Sequence, residues 1–337
     1  MDGFSAKVLA WYRHHGRHDL PWQVADPYAR WLAEVMLQQT TVTAARPYYE
    51  RFMRRFPSVQ ALAHASLDDV LALWSGLGYY ARARNLHAAA RLLVDRHAGV
   101  FPRTADEWAA LPGIGPSTAA AIVAFAFNIP AAILDANVRR VLSRYHGVRG
   151  RDAPTERLLW SYARTHTPTR HVAAYTQAIM DLGALVCRKT PDCPTCPLAD
   201  GCAFDGAETP ARRPPKPERA VYMAIITAPD QGILLVRRPP RGIWGGLWSL
   251  PESAALAALP ATIQALGFEG ALGDPAPPVW HVFTHFRLSI TPVRVLRSAR
   301  LAAVAEGCDA MWYKGALPGP GMPAPVRRLI NQFLEAS

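Results

Sequence analysis

The chain has 337 residues, half of them apolar, enough for two domain cores but not for three. Its 37 Lys and Arg against 26 Asp and Glu leave a net charge of +11, which suits a polyanionic partner and argues against a basic one. Met1-Asp-Gly-Phe-Ser lacks a basic start leading into an apolar run, and Ala119–Phe127 is too short to span a bilayer, so a soluble, intracellular protein is expected.

Taken in order, the residues from Phe4 to about Val186 show helical periodicity almost throughout. The spacing predicts helices over Lys7–His14, Tyr28–Ala45, Tyr48–Phe56, Leu67–Leu73, Ala81–Arg96, Pro116–Phe127, Asn137–Tyr145, Thr155–Thr165 and Val172–Val186. Alternating strand patterns are missing there. Residues 207–219 then form a basic, proline-rich connector, stiff by composition. Beyond it the period changes: Ala220–Thr227 and Ile233–Arg237 flank a Pro-Asp-Gln-Gly turn, Phe283–Leu296 reads as another strand, and Ala324–Leu334 as a final helix. The expected organisation is an all-α domain over 1–206, a linker over 207–219 and an α+β domain over 220–337.

Leu111-Pro-Gly-Ile-Gly-Pro-Ser117 reads as a hairpin between two helices. Pro116 suits a first helical position, because its fixed φ is helical and the N–H it lacks would be unpaired there anyway. Gly113 and Gly115 leave the turn without side chains, so a DNA phosphate could approach the free N–H groups of the helix N-terminus. The chain returns through Ile133-Leu-Asp135-Ala-Asn137, where Asp135 stands at an N-cap position. Any such turn also has a purely structural reading, and Ser117 could either simply start the helix or act near the sugar at the catalytic centre.

In Trp31–Thr41, Leu32, Val35 and Met36 form an apolar side, and Glu34, Gln38 and Thr41 a polar one at helical spacing. Alone, Glu34 would pass for a surface residue. With Asp135 it offers two carboxylates from separate elements, which cleavage of a glycosidic bond through an oxocarbenium-like state needs. Burial beside an apolar pocket would keep Glu34 protonated, while the helix N-terminus would hold Asp135 ionised.

Of five cysteines, four fall in Cys187-x5-Cys193-x2-Cys196-x5-Cys202 and Cys308 stands alone. A cluster of this kind points to a metal or iron–sulfur centre in a reducing compartment rather than to disulfides. A four-cysteine zinc site is the alternative, although structural zinc usually pairs two Cys-x2-Cys knuckles and only one occurs here.

Together EVMLQQT (34–40), GLGYYARARNL (76–86), LPGIGPSTA (111–119), ILDANVRRVL (133–142), DLGALVC (181–187) and the cysteines resemble adenine DNA glycosylases of the MutY type, in the helix–hairpin–helix superfamily that includes endonuclease III. GIWGGLWSLPE (242–252) and HVFTHF (281–286) extend the resemblance into that family's Nudix-like C-terminal domain. The motifs occur in the family's order over nearly the whole chain.

The resemblance implies a monofunctional glycosylase of base excision repair, removing adenine mispaired with 8-oxoguanine or guanine in double-stranded DNA. It implies that Glu34 protonates the flipped adenine, that Asp135 stabilises or transiently bonds the sugar cation, and that Asn137 supports Asp135. By the same match Gln39 and Tyr79 enter the base stack beside the lesion, with Gln38 on the same DNA-facing stretch. Trp22 and Gln177 line the adenine pocket, and the Phe283-Thr284-His285 loop contacts the oxidised guanine. The family commonly has serine where this chain has Thr284, and a buried strand position is the other reading of His285. The four cysteines match ligands of a [4Fe–4S] cluster, although the family's spacing is six, two and five, one residue longer at the first step. The expected protein acts as a monomer in the cytoplasm, on the nucleoid if bacterial.

Three other readings compete. A bifunctional endonuclease III-like glycosylase and AP lyase on oxidised pyrimidines would need a lysine two residues past Gly115, where this chain has Ser117. A nucleoside-diphosphate hydrolase would need several Glu on one helix to hold Mg²⁺, and Glu252–Gly270 offers only Glu252 and Glu269. A passive DNA-binding protein would need neither paired carboxylates nor a second domain that reads damage.

Overall fold

The computed structural model describes residues 2–206, 215–300, 309–315 and 319–335; Cys308 and linker residues 207–214 lie outside them. The chain divides into two compact units, one formed by Met1–Ala65 with Arg84–Pro210, the other by Ser66–Ala83 with Ala211–Ser337. A continuous first domain over 1–206 therefore differs from the observed division by the excursion Ser66–Ala83.

The helices up to the cysteine loop are α1 (Gly3–His15), α2 (Pro27–Leu37), α3 (Val42–Arg55), α4 (Val59–His64), α5 (Leu67–Trp74), α6 (Ala81–His97), α7 (Ala105–Ala109), α8 (Pro116–Phe127), α9 (Ala136–Tyr145), α10 (Ala153–His166) and α11 (Val172–Leu185). Phe4, Val8, Phe125, Val138, Leu142, Leu159, Ile179 and Leu182 form one buried cluster that draws on α1, α8, α9, α10 and α11. Burying a Leu or Ile side chain contributes roughly 1.5–3 kcal/mol, so this cluster holds the carriers of the site in place.

Two predicted boundaries are corrected. The helix expected over Tyr28–Ala45 ends at Leu37, because Gln38 leaves helical geometry and Gln39 takes a left-handed φ of 55°. Thr41 starts α3 afresh, its hydroxyl accepting from Ala44 N at 3.3 Å. The break expected before Tyr48 is absent: Pro47 lies inside α3 and is tolerated there. The two short helices α4 and α7 were not predicted, although α7 carries a capping box between Thr104 and Glu107 that the sequence displays.

The second unit holds two sheets. In the larger, Glu218–Ile225 runs parallel to Arg287–Arg300 and is flanked on its other edge by Glu252–Ser253. Phe268–Pro275 and Val279–Val282 both pair antiparallel with Arg287–Arg300. The smaller sheet joins Thr227–Ala228, Gly232–Arg237, Trp248–Ser249 and Ala310–Tyr313. Helix α12 (Leu259–Ala265) supplies Leu259 and Ile263 to a core with Ala224, Ile226 and Val293, and α13 (Ala324–Glu335) follows the second sheet in sequence.

The strand expected over Phe283–Leu296 begins only at Arg287. Phe283–Phe286 is the turn of a hairpin, closed by Phe283 N donating to Phe286 O at 2.9 Å. Segment 66–83 joins this unit through specific contacts. Ser75 Oγ donates to Met322 O at 2.8 Å, and Arg237 Nη1 to Asp68 Oδ1 at 2.8 Å. A Cβ on Gly321 would stand 2.9 Å from the Leu71 carbonyl carbon, so the backbones meet there only because that residue is glycine.

Candidate active site

Helix α8 begins as the sequence predicts, with Gly115 at the N-cap and Pro116 next. The two glycines differ in purpose. Gly113 has a φ of +78° and a Cβ there would lie 2.6 Å from the Asn85 Cβ, whereas a Cβ on Gly115 would meet nothing within 4 Å. Gly113 thus shapes the turn, and Gly115 leaves open space in front of the helix N-terminus. Ser117 accepts a hydrogen bond from Leu134 N at 3.0 Å, tying the start of α8 to the segment that leads into Asp135.

Asp135 caps α9, its Oδ1 accepting from Val138 N at 2.7 Å. Glu34, from the middle of α2, faces the same cavity, a space of about 520 Å³ that lies wholly within the first unit. Burial is the largest cause that pushes the Glu34 carboxyl up, to about 7; the Asp135 charge adds to the rise and the Arg30 guanidinium opposes it. The donors of the helix N-terminus do not bring Asp135 below the usual carboxylate range. Its carboxyl also lies above the usual value, because burial outweighs the N–H donors of Val138 and Asn137, the Arg140 charge and the Asn137 side chain. The two surroundings differ: Asp135 has N–H donors and a nearby cation, and Glu34 a neighbouring anion.

Asn137 is placed by an arginine that sequence reasoning overlooked. Arg140 Nη2 donates to Asn137 Oδ1 at 2.8 Å and to Gly183 O at 2.6 Å, and its Nε to Cys187 O at 2.6 Å. A Cβ on Gly183 would lie 2.7 Å from the Asn137 Cβ and 3.0 Å from its carbonyl carbon, so α11 approaches α9 this closely only with glycine there. One turn further along α9, Arg144 donates to Cys187 Sγ at 3.3 Å and to Arg188 O at 2.6 Å. The start of the cysteine loop is therefore fastened to the helix that Asp135 caps.

Burial raises the thiols of Cys187 and Cys196, and Arg144 opposes the rise at Cys187. Cys187, Cys193 and Cys202 all act electrostatically on Cys196, so the four share one neighbourhood. Among the described residues no three His, Cys, Asp or Glu side chains close round a single metal ion.

Of the remaining expected site residues in this unit, Trp22, Gln38, Ser117 and Gln177 line the cavity with Glu34, Asp135 and Asn137. Trp22 is buried, its ring 5.2 Å from that of Tyr49. Gln38 Nε2 donates to Thr118 Oγ1 at 3.3 Å, which joins the end of α2 to the start of α8. Gln39 is exposed and lies outside the cavity lining. Arg17, Met180, Arg188 and Lys189 also line the cavity. The last two are the basic residues that directly follow Cys187.

In the second unit, Tyr79 stands at a left-handed φ of 50°, 46% exposed, with its hydroxyl 2.9 Å from Thr284 Oγ1. Thr284 and His285 are exposed at the tip of the hairpin turn, which removes the buried reading of His285. Phe283 stacks on Phe286 with ring centres 4.5 Å apart, and its carbonyl accepts from Lys216 Nζ at 2.7 Å. Glu252 is paired with Arg238, and Glu269 lies on the strand Phe268–Pro275, so the two acids expected of a hydrolase do not share a helix.

Comparison with known proteins gives a consistent result. Residues 32–165 match the family model described as HhH-GPD superfamily base excision DNA repair protein, and residues 221–332 match the NUDIX domain model. The chain is 35% identical to an adenine DNA glycosylase of Buchnera aphidicola subsp. Baizongia pistaciae, over 98% of this chain and 96% of the relative. Against the adenine DNA glycosylase of Homo sapiens it is 33% identical, covering 75% of this chain and 58% of that one. Among solved structures, a thermostable thymine-DNA glycosylase superposes with a TM-score of 0.55 at 27% identity, covering 60% of this chain and 96% of the other. An endonuclease III in non-covalent complex with DNA gives a TM-score of 0.52 at 24% identity, covering 59% and 92%, and shares the fold.

Proposed function

The chain belongs to the adenine DNA glycosylase family, and from that premise we propose that it hydrolyses the N-glycosidic bond of adenine mispaired with 8-oxoguanine or guanine in duplex DNA. The observation that carries this is the meeting of Glu34 and Asp135 in one cavity, with the Glu34 carboxyl pushed up to about 7. A carboxylic acid at that value keeps its proton in a substantial fraction of molecules near neutrality and can deliver it to the departing adenine. The Asp135 carboxylate then faces the sugar as positive charge develops on it, and Asn137 and Arg140 hold that carboxylate in place. Water completes the hydrolysis. Extruding the adenine costs a few kcal/mol and costs least at a mismatch, which itself favours mispaired substrate.

Ser117 supports a monofunctional reaction: its hydroxyl accepts from Leu134 N and cannot form an imine with the sugar. The open N-terminus of α8 and the net charge of +11 support contact with phosphates. Tyr79 and the Phe283-Thr284-His285 turn, joined in the second unit, are read as the lesion-recognition elements, and exposed Gln39 as a residue that enters the base stack. One chain carries both functions, which supports action as a monomer. A DNA substrate supports a location where DNA lies, which in a bacterium is the nucleoid within the cytoplasm.

The four thiols fit a [4Fe–4S] cluster. They share one neighbourhood, and Arg144 at the Cys187 sulfur offsets thiolate charge. Cys187, Cys193, Cys196 and Cys202 would hold it, and when bound it supplies a cross-link that stiffens the loop bearing Arg188 and Lys189.

The test is strand scission by the purified protein on duplexes with adenine opposite 8-oxoguanine, adenine opposite guanine, and an oxidised pyrimidine, each with and without alkali. Cutting at adenine only after alkali is expected. Alkali-independent cutting at the pyrimidine would instead assign the protein to the lyase branch.

A further inference from the structure

Gln177 is buried in α11 with its amide at the cavity wall, and the orientation of that amide decides what the wall offers a base. Its Nε2 donates to Asp181 Oδ1 at 2.8 Å, one helical turn away. Asp181 is fully buried, and Arg17 reaches it from 164 positions earlier in the chain. Arg17 N donates to Asp181 Oδ2 at 2.8 Å, its Nε to Oδ1 at 2.9 Å, and its Nη2 to Oδ1 at 2.5 Å. A carboxylate fixed by a guanidinium and a backbone N–H can only accept, so the Gln177 amide must point its NH2 toward Asp181. Its Oε1 is thereby turned away from Asp181 in a residue that lines the cavity, and among the described residues no hydrogen bond is made to it.

The arginine is itself held. Gln23 Nε2 donates to Arg17 O at 2.6 Å and Tyr12 OH to the same oxygen at 3.3 Å. Gly16 precedes it where any Cβ would run into the Tyr12 ring, 2.0 Å away. The turn after α1 thus presents Arg17 to Asp181 in one pose.

We propose that Arg17 and Asp181 are positioning residues that set the hydrogen-bond sense of the base pocket: by locking Gln177 with its oxygen inward, they make the pocket select a purine bearing an exocyclic amine over one bearing a carbonyl or nothing at that position. This rests on the adenine glycosylase reading. Asp181 is fully buried behind the cavity wall, whereas Arg17 also lines the cavity. In an Asp181→Asn variant the new amide can donate, so Gln177 is free to turn and present its NH2 to the cavity. In Arg17→Met the Asp181 carboxyl loses the guanidinium that fixes it, so Gln177 is no longer held to one orientation.

The experiment is single-turnover excision from duplexes with 8-oxoguanine opposite adenine, unsubstituted purine or hypoxanthine, by wild type, Asp181→Asn, Arg17→Met and Arg17→Lys. The adenine-over-purine rate ratio is expected to fall roughly three- to tenfold in Asp181→Asn and Arg17→Met, the worth of one hydrogen bond. The adenine-over-hypoxanthine ratio should fall further, because a donor now meets the carbonyl, and Arg17→Lys should recover part of both ratios. Equal loss on all three bases, with the ratios unchanged, overturns the proposal and leaves a structural ion pair. If Asp181→Asn fails to fold, the two Arg17 variants decide by the same ratios. A wild type that releases no adenine would instead contradict the functional reading on which the proposal stands.

Discussion

Arg140 donates to Asn137 Oδ1 at 2.8 Å and, from the same guanidinium, to the Cys187 carbonyl at 2.6 Å. Asn137, proposed to support the Asp135 carboxylate, and the first cysteine of the loop are thus held by one side chain. Removing it leaves the Asn137 oxygen, the Gly183 carbonyl and the Cys187 carbonyl without that donor, and hydrogen bonds to a charged group contribute about 1.5–3 kcal/mol each. Arg140→Ala is expected to lower single-turnover excision at least tenfold and to reduce iron retained per chain. Excision assays beside iron analysis check both; an effect on neither would show the bridge to be idle.

The pH dependence of the chemical step follows from Glu34. In the proposed reaction the acid form is the active one, and burial with the Asp135 charge raises its carboxyl to about 7. Below that value Glu34 stays protonated and the step is insensitive to this group; above it the rate should fall about tenfold per pH unit. A single-turnover pH profile reads this directly. Glu34→Gln should flatten the profile at a much lower rate.

Gly183→Ala places a Cβ 2.7 Å from the Asn137 Cβ and 3.0 Å from its backbone, in two packed helices with no slack. Overpacking of this kind costs about 1–3 kcal/mol. The variant should lose that much stability in chemical denaturation and, because α9 must move, lose excision as well. Gly115→Ala is the contrast: a Cβ there meets nothing within 4 Å, so stability should be unchanged.

Tyr79 and Thr284 share a hydrogen bond of 2.9 Å between hydroxyls. If that pair reads the base opposite the adenine, Tyr79→Phe and Thr284→Val should each reduce the preference for 8-oxoguanine over guanine by about three- to tenfold. The double variant should do little more than either alone, since both remove the same bond. Additive losses would mean that the two residues act separately.

What could be read from the sequence follows from the range of the forces involved. The α8 start and the Asp135 cap are local events, fixed by Gly115, Pro116 and the reach of one side chain, and both stand where the residues place them. The break after Leu37 was hidden because glutamines favour helix; only the fold turns the chain at Gln39. That the Asp135 carboxyl lies above its usual value could not be read, because its cap donors are visible in sequence and its burial is not. Arg17 and Asp181 escaped notice for a related reason, as nothing in the order of residues shows that two positions 164 apart will pair. The hairpin at Phe283–Phe286 was read as strand because its aromatics have strand propensity, and here they stack across a turn instead.

The most direct test of the account is release of free adenine, in a single turnover, from a duplex carrying adenine opposite 8-oxoguanine, by wild type, Glu34→Gln and Asp135→Asn, with duplex affinity measured in parallel. Wild type should release the base, and each variant should be slower by about 10²–10⁴ while binding the duplex with little change. Excision by either variant at the wild-type rate, or loss of binding that matches the loss of excision, would contradict the roles assigned to the two carboxyl groups.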